Sequence, residues 1–239
     1  MVARDVIADL SQRIRTIERT GQRCATKSDL TANGLPGLER LLCEAGWPRG
    51  GLVEWLAEGR GTGSMCLALW ASRAAWHDSL LVMIDSQREL HAPAAVPFAV
   101  DLSKTVFIRP ERPPDALWSL EQALRTRGVG AVVCDVEQLS PQACRRLQLA
   151  AETGGGLGIL LRPAKARGQP SFAEYRFLVQ PLPPPDARRA GVAAVSRRWR
   201  VELLRGRKRF GGDSVIVELS DGPNGLSLAA ELASATPAA

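Results

Sequence analysis

The chain has 239 residues, of which 45% are hydrophobic and 23% are charged, a composition typical of globular proteins. This length is sufficient for a domain with a substantial core, and the composition excludes disorder as the main state of the chain. The formal net charge of +6 is a mild basic excess, compatible with a nucleic-acid partner or an acidic protein partner.

The chain carries few cysteines and histidines and no long apolar run, which bears on its compartment and on metal binding. The five cysteines form no C-x-x-C pair and are odd in number, which favours a reduced, cytosolic environment. The two histidines, His77 and His91, have no ligand-like neighbours, so we expect no metal site. We also expect neither a secretion signal at the N-terminus nor a membrane span.

Apolar residues near the N-terminus follow helical spacing. The positions that recur at intervals of about three and four are Val6, Ile7, Leu10, Ile14 and Ile17. They predict an amphipathic helix of about three turns, which ends at Gly21. This helix packs either on its own domain or on another subunit as a partner arm, and the pattern supports both interpretations.

Short apolar runs alternate with helical stretches through the middle of the chain. Strands are expected at Leu52–Leu56, Leu80–Ile84, Thr105–Ile108, Ala131–Cys134 and Leu157–Leu161. Helices are expected at Ser64–His77, Asp115–Arg127 and Pro141–Thr153. Buried strands that alternate with helices predict an α/β fold, a mostly parallel sheet with helices on both faces.

The last third of the chain has strand-like runs without helices between them. These runs are Tyr175–Val179, Arg200–Leu204 and Val215–Leu219, and we expect them to extend the sheet as antiparallel strands. A proline-rich break at 181–186 separates the first two. The predicted organisation is a helical arm over 1–28, a core over 29–233 and a frayed tail over 234–239.

A glycine-rich loop lies between a strand and a helix, which is the order found in phosphate-binding P-loops. The pattern G-x-x-x-x-G-K-[ST], placed on residues 58–65, keeps only Gly63. Glu58 takes the place of the first glycine, Ser64 that of the lysine and Met65 that of the metal-binding hydroxyl. We therefore expect no tight Mg-ATP binding and no other cofactor, although backbone N–H groups could still hold a phosphate. The alternative is a strand-to-helix turn that has only kept its glycines.

Two aspartates follow apolar strands. Asp135 ends the run Ala131–Cys134, where a Walker-B aspartate would orient Mg²⁺ and its water. Asp85 ends the run Leu81–Ile84. Each is also a common strand-end residue, and the pattern does not separate the two interpretations. The candidate residues of the degenerate nucleotide site are Gly59, Gly61, Thr62, Gly63, Ser64 and Asp135.

The order of these segments resembles the RecA core. The resemblance begins with GWPRGGLVEWL, the loop and LLVMIDSQ, continues with AVVCDVEQL, and ends with RWRVELLRGRKRFGGDSVIVELSDGPNGL. Within that superfamily the chain is similar to the ImuA family. The long segments that carry this similarity are GWPRGGLVEWL, DALWSLEQALRTRGVGAVVCDV and CRRLQLAAETGGGLGILLRPA.

The resemblance implies a RecA-like fold and a role in SOS-induced DNA repair and translesion synthesis in the cytoplasm, at the nucleoid. It implies two partners, an ImuB-like Y-family protein and an error-prone DnaE-type polymerase, with RecA itself as a further candidate. It also implies departures from RecA. Gln87 takes the place of the catalytic glutamate, Pro163 that of the glutamine sensor, and the DNA-contacting loop is shortened to 164–171. Because an amide cannot act as a general base, we predict a non-catalytic accessory factor.

A basic segment lies near the C-terminus. It contains Arg188, Arg189, Arg197, Arg198, Arg200, Arg205, Arg207, Lys208 and Arg209, with Trp199 and Phe210 between them. The RecA resemblance matches Arg205 and Arg207 to the basic pair that senses the γ-phosphate. Such a segment can bind the phosphates of single-stranded DNA while its aromatic rings stack on bases. It can also contact an acidic face of a protein partner or form a solvated hairpin.

Two further functions remain open from the sequence. One is a weak RecA-like, DNA-dependent ATPase, and the other is a cell-division inhibitor of the SulA type. The long match to the RecA core and its closing strands argues against the inhibitor, because a minimal inhibitor would not need them.

Overall fold

The computed structural model describes residues 30–32, 37–42, 46–59, 61–76, 78–183, 196–207, 212–222 and 225–232. The chain divides into two compact units, residues 1–30 and residues 31–239, and the second is described below. The predicted partner arm, Val6, Leu10, Ile14 and Ile17, lies outside the described residues, so it stays a prediction, as do the predicted domain limits.

The described residues contain eleven strands and three α-helices. The strands are β1 (Leu30–Ala32), β2 (Gly46–Pro48), β3 (Leu52–Ala57), β4 (Leu80–Ile84), β5 (Thr105–Ile108), β6 (Val129–Asp135), β7 (Leu157–Pro163), β8 (Tyr175–Leu182), β9 (Ser196–Arg205), β10 (Ser214–Gly222) and β11 (Gly225–Leu232). The helices are α1 (Ser64–Ser72), α2 (Pro113–Arg125) and α3 (Pro141–Gly154). None of these helices is long and apolar enough to cross a membrane.

Nine of the strands form one sheet in the order β11-β10-β9-β8-β3-β7-β6-β4-β5, while β1 and β2 form a small separate sheet. The run from β8 to β5 is parallel throughout. Strands β9, β10 and β11 are antiparallel to their neighbours. The predicted α/β class with a mostly parallel sheet is therefore confirmed.

Strand β8 corrects the expected topology. We expected an antiparallel strand at Tyr175–Val179, but β8 pairs with β3 in parallel, with Tyr175 opposite Val53. Residues 164–174 cross from the carboxyl end of β7 to the amino end of β8 through a 3-10 turn, Ala164–Gly168. The antiparallel direction was inferred because no helix was predicted between β7 and β8. A crossover to a parallel strand usually contains an α-helix, but here the irregular segment 164–174 is long enough to make it.

The proline-rich break is also corrected at its first residues. Pro181 lies inside β8, opposite Trp199 of β9. On its other side, the pairing of β8 with β3 has already ended at Val179. Because no ladder bond is needed on that side, the missing N–H of Pro181 costs the sheet little. Residues 184–186 lie outside the described residues.

The sheet separates two hydrophobic cores. Side chains alternate along each strand, so that Val53 and Trp55 contribute to one core and Leu52 to the other. The first core contains α1, and the second contains α2 and α3. The prediction of helices on both faces is confirmed.

Trp47 joins the leader segment to the first core. This buried side chain belongs to β2. Its indole N–H donates to the carbonyl of Ala71 at 2.7 Å, and its ring contacts Trp55, Tyr175 and Phe177 edge-on. The buried indole N–H is thus satisfied, and β2 is fixed against both α1 and the sheet.

Helices α2 and α3 approach each other closely at Gly154, and this contact can be tested. A Cβ added at Gly154 would lie 2.0 Å from the carbonyl oxygen of Leu124, a backbone atom that cannot rotate away. We expect Gly154→Ala to lower the free energy of unfolding by about 1–3 kcal/mol in urea denaturation, because the helices must separate. Gly168→Ala is the matched control, since nothing lies within 4 Å of its added Cβ. Equal stability of the two variants would contradict this packing.

Candidate functional site

A cleft of about 800 Å³ opens at the carboxyl ends of the parallel strands, where the glycine-rich loop follows β3. In open α/β sheets this edge is where ligands bind. The structure brings to it all six residues predicted for the degenerate nucleotide site: Gly59, Gly61, Thr62, Gly63, Ser64 and Asp135. Their meeting in one cleft follows from the fold, while their function stays a prediction.

The loop conformation depends on its glycines. Gly61 and Gly63 have φ values of 72° and 92°, in the left-handed region that other residues avoid. The hydroxyl of Thr62 donates to the carbonyl of Gly59 at 2.8 Å, which closes the turn. Gly63 then caps α1 without a side-chain hydrogen bond. The loop is therefore a built turn that needs no ligand to hold its shape.

The residues at the P-loop positions lack the lysine and the metal-binding hydroxyl of the pattern. Met65 stands where the metal-binding hydroxyl would be, and its side chain packs against the first core. Ser64 stands where the lysine would be, and the described residues that line the cleft include no lysine. The thioether of Met65 is a poor ligand for Mg²⁺, which prefers oxygen.

Trp199 of β9 contacts the loop. A Cβ at Gly63 would lie 2.2 Å from the indole Nε1 of Trp199, so the ring packs against the bare α-carbon. Trp199 is 3% exposed. The expectation that this ring stacks on DNA bases is wrong for the described structure, because the ring belongs to the first core.

Acidic residues reach the cleft from two strand ends. Asp135 at the end of β6, Glu137 just after it and Glu89 after β4 all line the cleft. Nevertheless, within the part of the chain that the structure describes, no three His, Cys, Asp or Glu side chains are grouped to hold a metal ion. Glu89 was not predicted because the resemblance to RecA places Gln87 at the position of the catalytic glutamate.

Asp85 explains how Glu89 is presented. Its buried carboxylate accepts hydrogen bonds from the backbone N–H groups of Glu89 and Leu90 at 3.0 and 3.1 Å. It also accepts from Nε of Arg109 at 3.2 Å. The turn after β4 is thus fixed by Asp85, whose role is structural, and Gln87 is left exposed on that turn.

Two cysteine environments bear on the chemistry of the cleft. Burial raises the pKa of the Cys66 thiol in α1, while the guanidinium of Arg197 opposes this shift, which places Arg197 near the first turns of α1. Burial, together with the Asp135 carboxylate, raises the pKa of Cys134 to about 12. Both thiols are therefore poor nucleophiles at neutral pH.

The structure divides the predicted basic segment between two edges of the sheet. Arg197 and Arg198 lie at the cleft, and Nε of Arg198 is 3.5 Å from a carboxylate oxygen of Glu218. Arg205 and Arg207 lie at the opposite edge, near the start of β8. There Arg205 donates to the carbonyl of Ser171 at 2.8 Å, and Arg207 pairs with Glu174. Arg200 lies between these two groups on β9, and Arg188, Arg189, Lys208 and Arg209 lie outside the described residues.

A buried ionic cluster lies beside the cleft. The Glu54 carboxylate of β3 is completely buried and accepts from Nη1 of Arg162 at 3.2 Å and from Nε of Arg176 at 2.8 Å. The hydroxyl of Ser171 donates to the same carboxylate at 2.7 Å, and Nη2 of Arg162 donates to Oε1 of Gln169 at 2.6 Å. Arg162 also lines the cleft. The cluster was missed in the sequence because Glu54 and Arg162 are 108 residues apart.

The same cluster holds the segment after β7. The guanidinium of Arg176 donates to the carbonyls of Ala166, Arg167 and Gln169 at 2.8, 3.1 and 3.4 Å. Ala166 is fully buried. The resemblance to RecA placed a DNA-contacting loop at 164–171, but in this chain its described backbone is bound to the core.

The sequence of the chain is similar to that of two known proteins. No family model matches the chain. The chain is 32% identical over 167 residues to Protein ImuA of Caulobacter vibrioides (strain NA1000 / CB15N), an alignment that covers 64% of this chain and 67% of that protein. Protein ImuA of Caulobacter vibrioides (strain ATCC 19089 / CIP 103742 / CB 15) gives the same values. The chain belongs to the ImuA family.

A solved structure supports the fold of this ImuA-family chain. The KaiC-like protein of Pyrococcus horikoshii OT3 superposes with a TM-score of 0.56, over 84% of this chain and 98% of that chain. The sequence identity is 16%, so this likeness concerns the fold alone. The RecA-like fold class and the resemblance to the ImuA family are both confirmed.

The ionic cluster generates a second test. We expect Glu54→Gln to cost about 3–5 kcal/mol of unfolding free energy, because it leaves Arg162 and Arg176 buried without a counter-charge. Glu121→Gln is the matched control, since Glu121 also pairs with two arginines, Arg125 and Arg146, but these side chains are 50% and 60% exposed. Their solvation limits the loss to about 1 kcal/mol. Similar urea midpoints for the two variants would show that burial does not set the cost.

Proposed function

We propose that this ImuA-family chain is a non-catalytic accessory factor in SOS-induced DNA repair and translesion, mutagenic DNA synthesis. Membership of the ImuA family supports this pathway. The partners we propose are an ImuB-like Y-family protein and an error-prone DnaE-type polymerase, with RecA as a further candidate. The proposed site of action is the cytoplasm, at the nucleoid.

The observation that carries the non-catalytic part is the position of Met65. At the place where a working P-loop offers a hydroxyl to Mg²⁺, the partly buried side chain of Met65 packs against the first core and lines the cleft with a thioether. Replacing it with threonine would remove apolar contacts from that core as well as add a ligand. Ser64 also cannot supply the positive charge that a P-loop lysine brings to the β- and γ-phosphates. Among the described residues that line the cleft, none supplies the P-loop lysine or the hydroxyl at its metal-binding position, which supports the non-catalytic role.

Single-stranded DNA is a secondary part of the proposal. Within the basic segment, Arg198 and Arg207 pair with Glu218 and Glu174, which neutralises part of their charge. Arg197 is exposed at the mouth of the cleft and is available to a phosphate. Binding through so few cations would be weak, independent of base sequence and dependent on salt.

A weak ATPase is the second candidate, and Glu89 is the observation that favours it. This carboxylate lines the cleft together with Asp135, so an acid is present although Gln87 is an amide. A general base must reach the attacking water, and a carboxylate at this edge of the sheet is suitably placed. The absence of a lysine and of a metal-binding hydroxyl at the loop weighs against this candidate.

A turnover measurement separates these candidates. We expect no ATP hydrolysis above background in a phosphate-release assay, with or without single-stranded DNA, because Ser64 and Met65 cannot position Mg-ATP. Turnover that DNA stimulates, and that both Asp135→Ala and Glu89→Gln abolish, would establish the ATPase instead.

A genetic test addresses the pathway itself. Deleting the gene should lower the frequency of mutations induced by ultraviolet light, and the wild-type chain should restore it. We expect Asp135→Ala and Glu89→Gln to restore it equally well, because the proposed action does not involve hydrolysis. An unchanged mutation frequency in the deletion strain would refute the pathway, and failure of only these two variants would refute the non-catalytic role.

A further inference from the structure

The C-terminal strands present a second surface, which we call the outer face and define by Gln180 of β8, Arg198, Arg200 and Glu202 of β9, and Ile216 and Glu218 of β10. Along β9 and β10 these residues alternate with buried ones that belong to the first core, such as Val201 and Val217. Each residue of the outer face keeps part of its exposure. It is a sheet face that points away from the first core and is half-open to solvent.

Arg200 lies at the centre of the outer face. The register places it between Gln180 on one side and Ile216 on the other. Its Nε is buried and has no hydrogen-bond partner, and the described structure gives its guanidinium no ion pair. A buried N–H without an acceptor is unfavourable, because it has lost water and gained no partner in return. Such a group points to a ligand that supplies the acceptor.

The two carboxylates of the outer face do not supply it. Glu202 pairs with Arg167 at 3.2 Å, and Glu218 lies 3.5 Å from Arg198. Nε of Arg198 also lacks a hydrogen bond, but it lies within ion-pair distance of Glu218. Among the described residues, Arg200 is therefore the arginine of the outer face that has no carboxylate partner. Residues two apart on a strand share a face, so Glu202 lies about 7 Å from Arg200 and would be close to any ligand bound there.

This charge pattern selects the ligand. A phosphodiester chain carries a negative charge on every nucleotide, so its neighbouring phosphates would meet Glu202 and Glu218. A single carboxylate has no such neighbours. Ile216 offers an apolar contact and Gln180 an amide to the residues on either side of it. We infer that Arg200 receives one aspartate or glutamate side chain of a protein partner, in a segment whose adjacent residues are uncharged.

The contact has a defined chemistry. The planar guanidinium of arginine donates parallel hydrogen bonds to a carboxylate, which gives orientation as well as attraction. This inference rests on the proposed function, in which the chain acts through protein contacts. It adds to that function the surface used and the kind of segment that binds there.

Displayed peptides provide the probe. One library fixes a glutamate at the centre of short peptides whose other positions are uncharged, and a second library fixes glutamine there. Both are selected on the full-length chain, and the enriched peptides are labelled and titrated by fluorescence anisotropy. We expect enrichment from the glutamate library only. Enrichment from both libraries alike, or from neither, would overturn the inference.

Variants locate the contact. Arg200→Gln should weaken the selected peptides about tenfold, and replacing the peptide glutamate by glutamine should have no further effect on that variant. Arg200→Lys keeps the charge but loses the fork, and should bind with intermediate affinity. Arg145→Gln is the matched control, since it removes one charge from an exposed position of α3, outside both the outer face and the basic segment. Thermal melting checks that each variant folds.

Two results would contradict the proposed role of Arg200 at the outer face. Undiminished peptide binding to Arg200→Gln would overturn the inference. So would binding of a labelled single-stranded thymidine oligonucleotide that requires Arg200 when peptide binding does not, because Arg200 would then serve nucleic acid. Either result leaves the proposed function standing if gene deletion still lowers induced mutation, so the two failures can be told apart.

Discussion

Two arginines buried among the central strands depend on the carboxylate of Glu54. Removing an ion from water costs several kcal/mol unless a counter-charge and hydrogen bonds replace the water. Here Glu54, directly opposite Arg176 in the register of β3 and β8, supplies the counter-charge to both arginines. The carbonyls of Ala166, Arg167 and Gln169 accept the remaining hydrogen bonds of Arg176, and the Gln169 side chain accepts one from Arg162. One side chain thus fixes three strands and the crossover between β7 and β8. Because Arg162 belongs to this cluster, one wall of the cleft is fixed with it.

The antiparallel strands give the RecA-like core two distinct surfaces. On one side, Trp199 of β9 closes against Gly63 and joins these strands to the loop. On the other side, Arg200 is half-exposed, and the neighbouring carboxylates of Glu202 and Glu218 are paired with other arginines. Successive residues of a strand point to opposite faces, so β9 contributes both to the cleft and to the outer face. A protein contact at the outer face therefore requires no catalytic group in the cleft, because Trp199 and Arg200 lie on opposite faces of β9.

Sequence patterns predicted the parallel core well because its strands are buried on both faces. The runs at Leu52–Leu56 and Leu157–Leu161 fall in β3 and β7, whose residues are buried almost throughout. The meeting of the loop with Asp135 was predictable for a related reason, since carboxyl ends of parallel strands share an edge. Contacts between distant residues left no local pattern. The pairing of Glu54 with Arg162 and the direction of β8 depend on which strands become neighbours, which periodicity does not specify.

The glycines of the loop are explained without a phosphate. Gly61 and Gly63 adopt left-handed φ values that disfavour other residues, and any side chain at Gly63 would collide with Trp199. Packing against Trp199 therefore accounts for Gly63, and the left-handed backbone accounts for Gly61. These two glycines do not by themselves indicate nucleotide binding, because the turn and the indole require them in either case. The next two residues are more informative. Ser64 and Met65 are free of the backbone constraint that fixes Gly63, so a chain that needed lysine and threonine there could carry them, and this one carries neither.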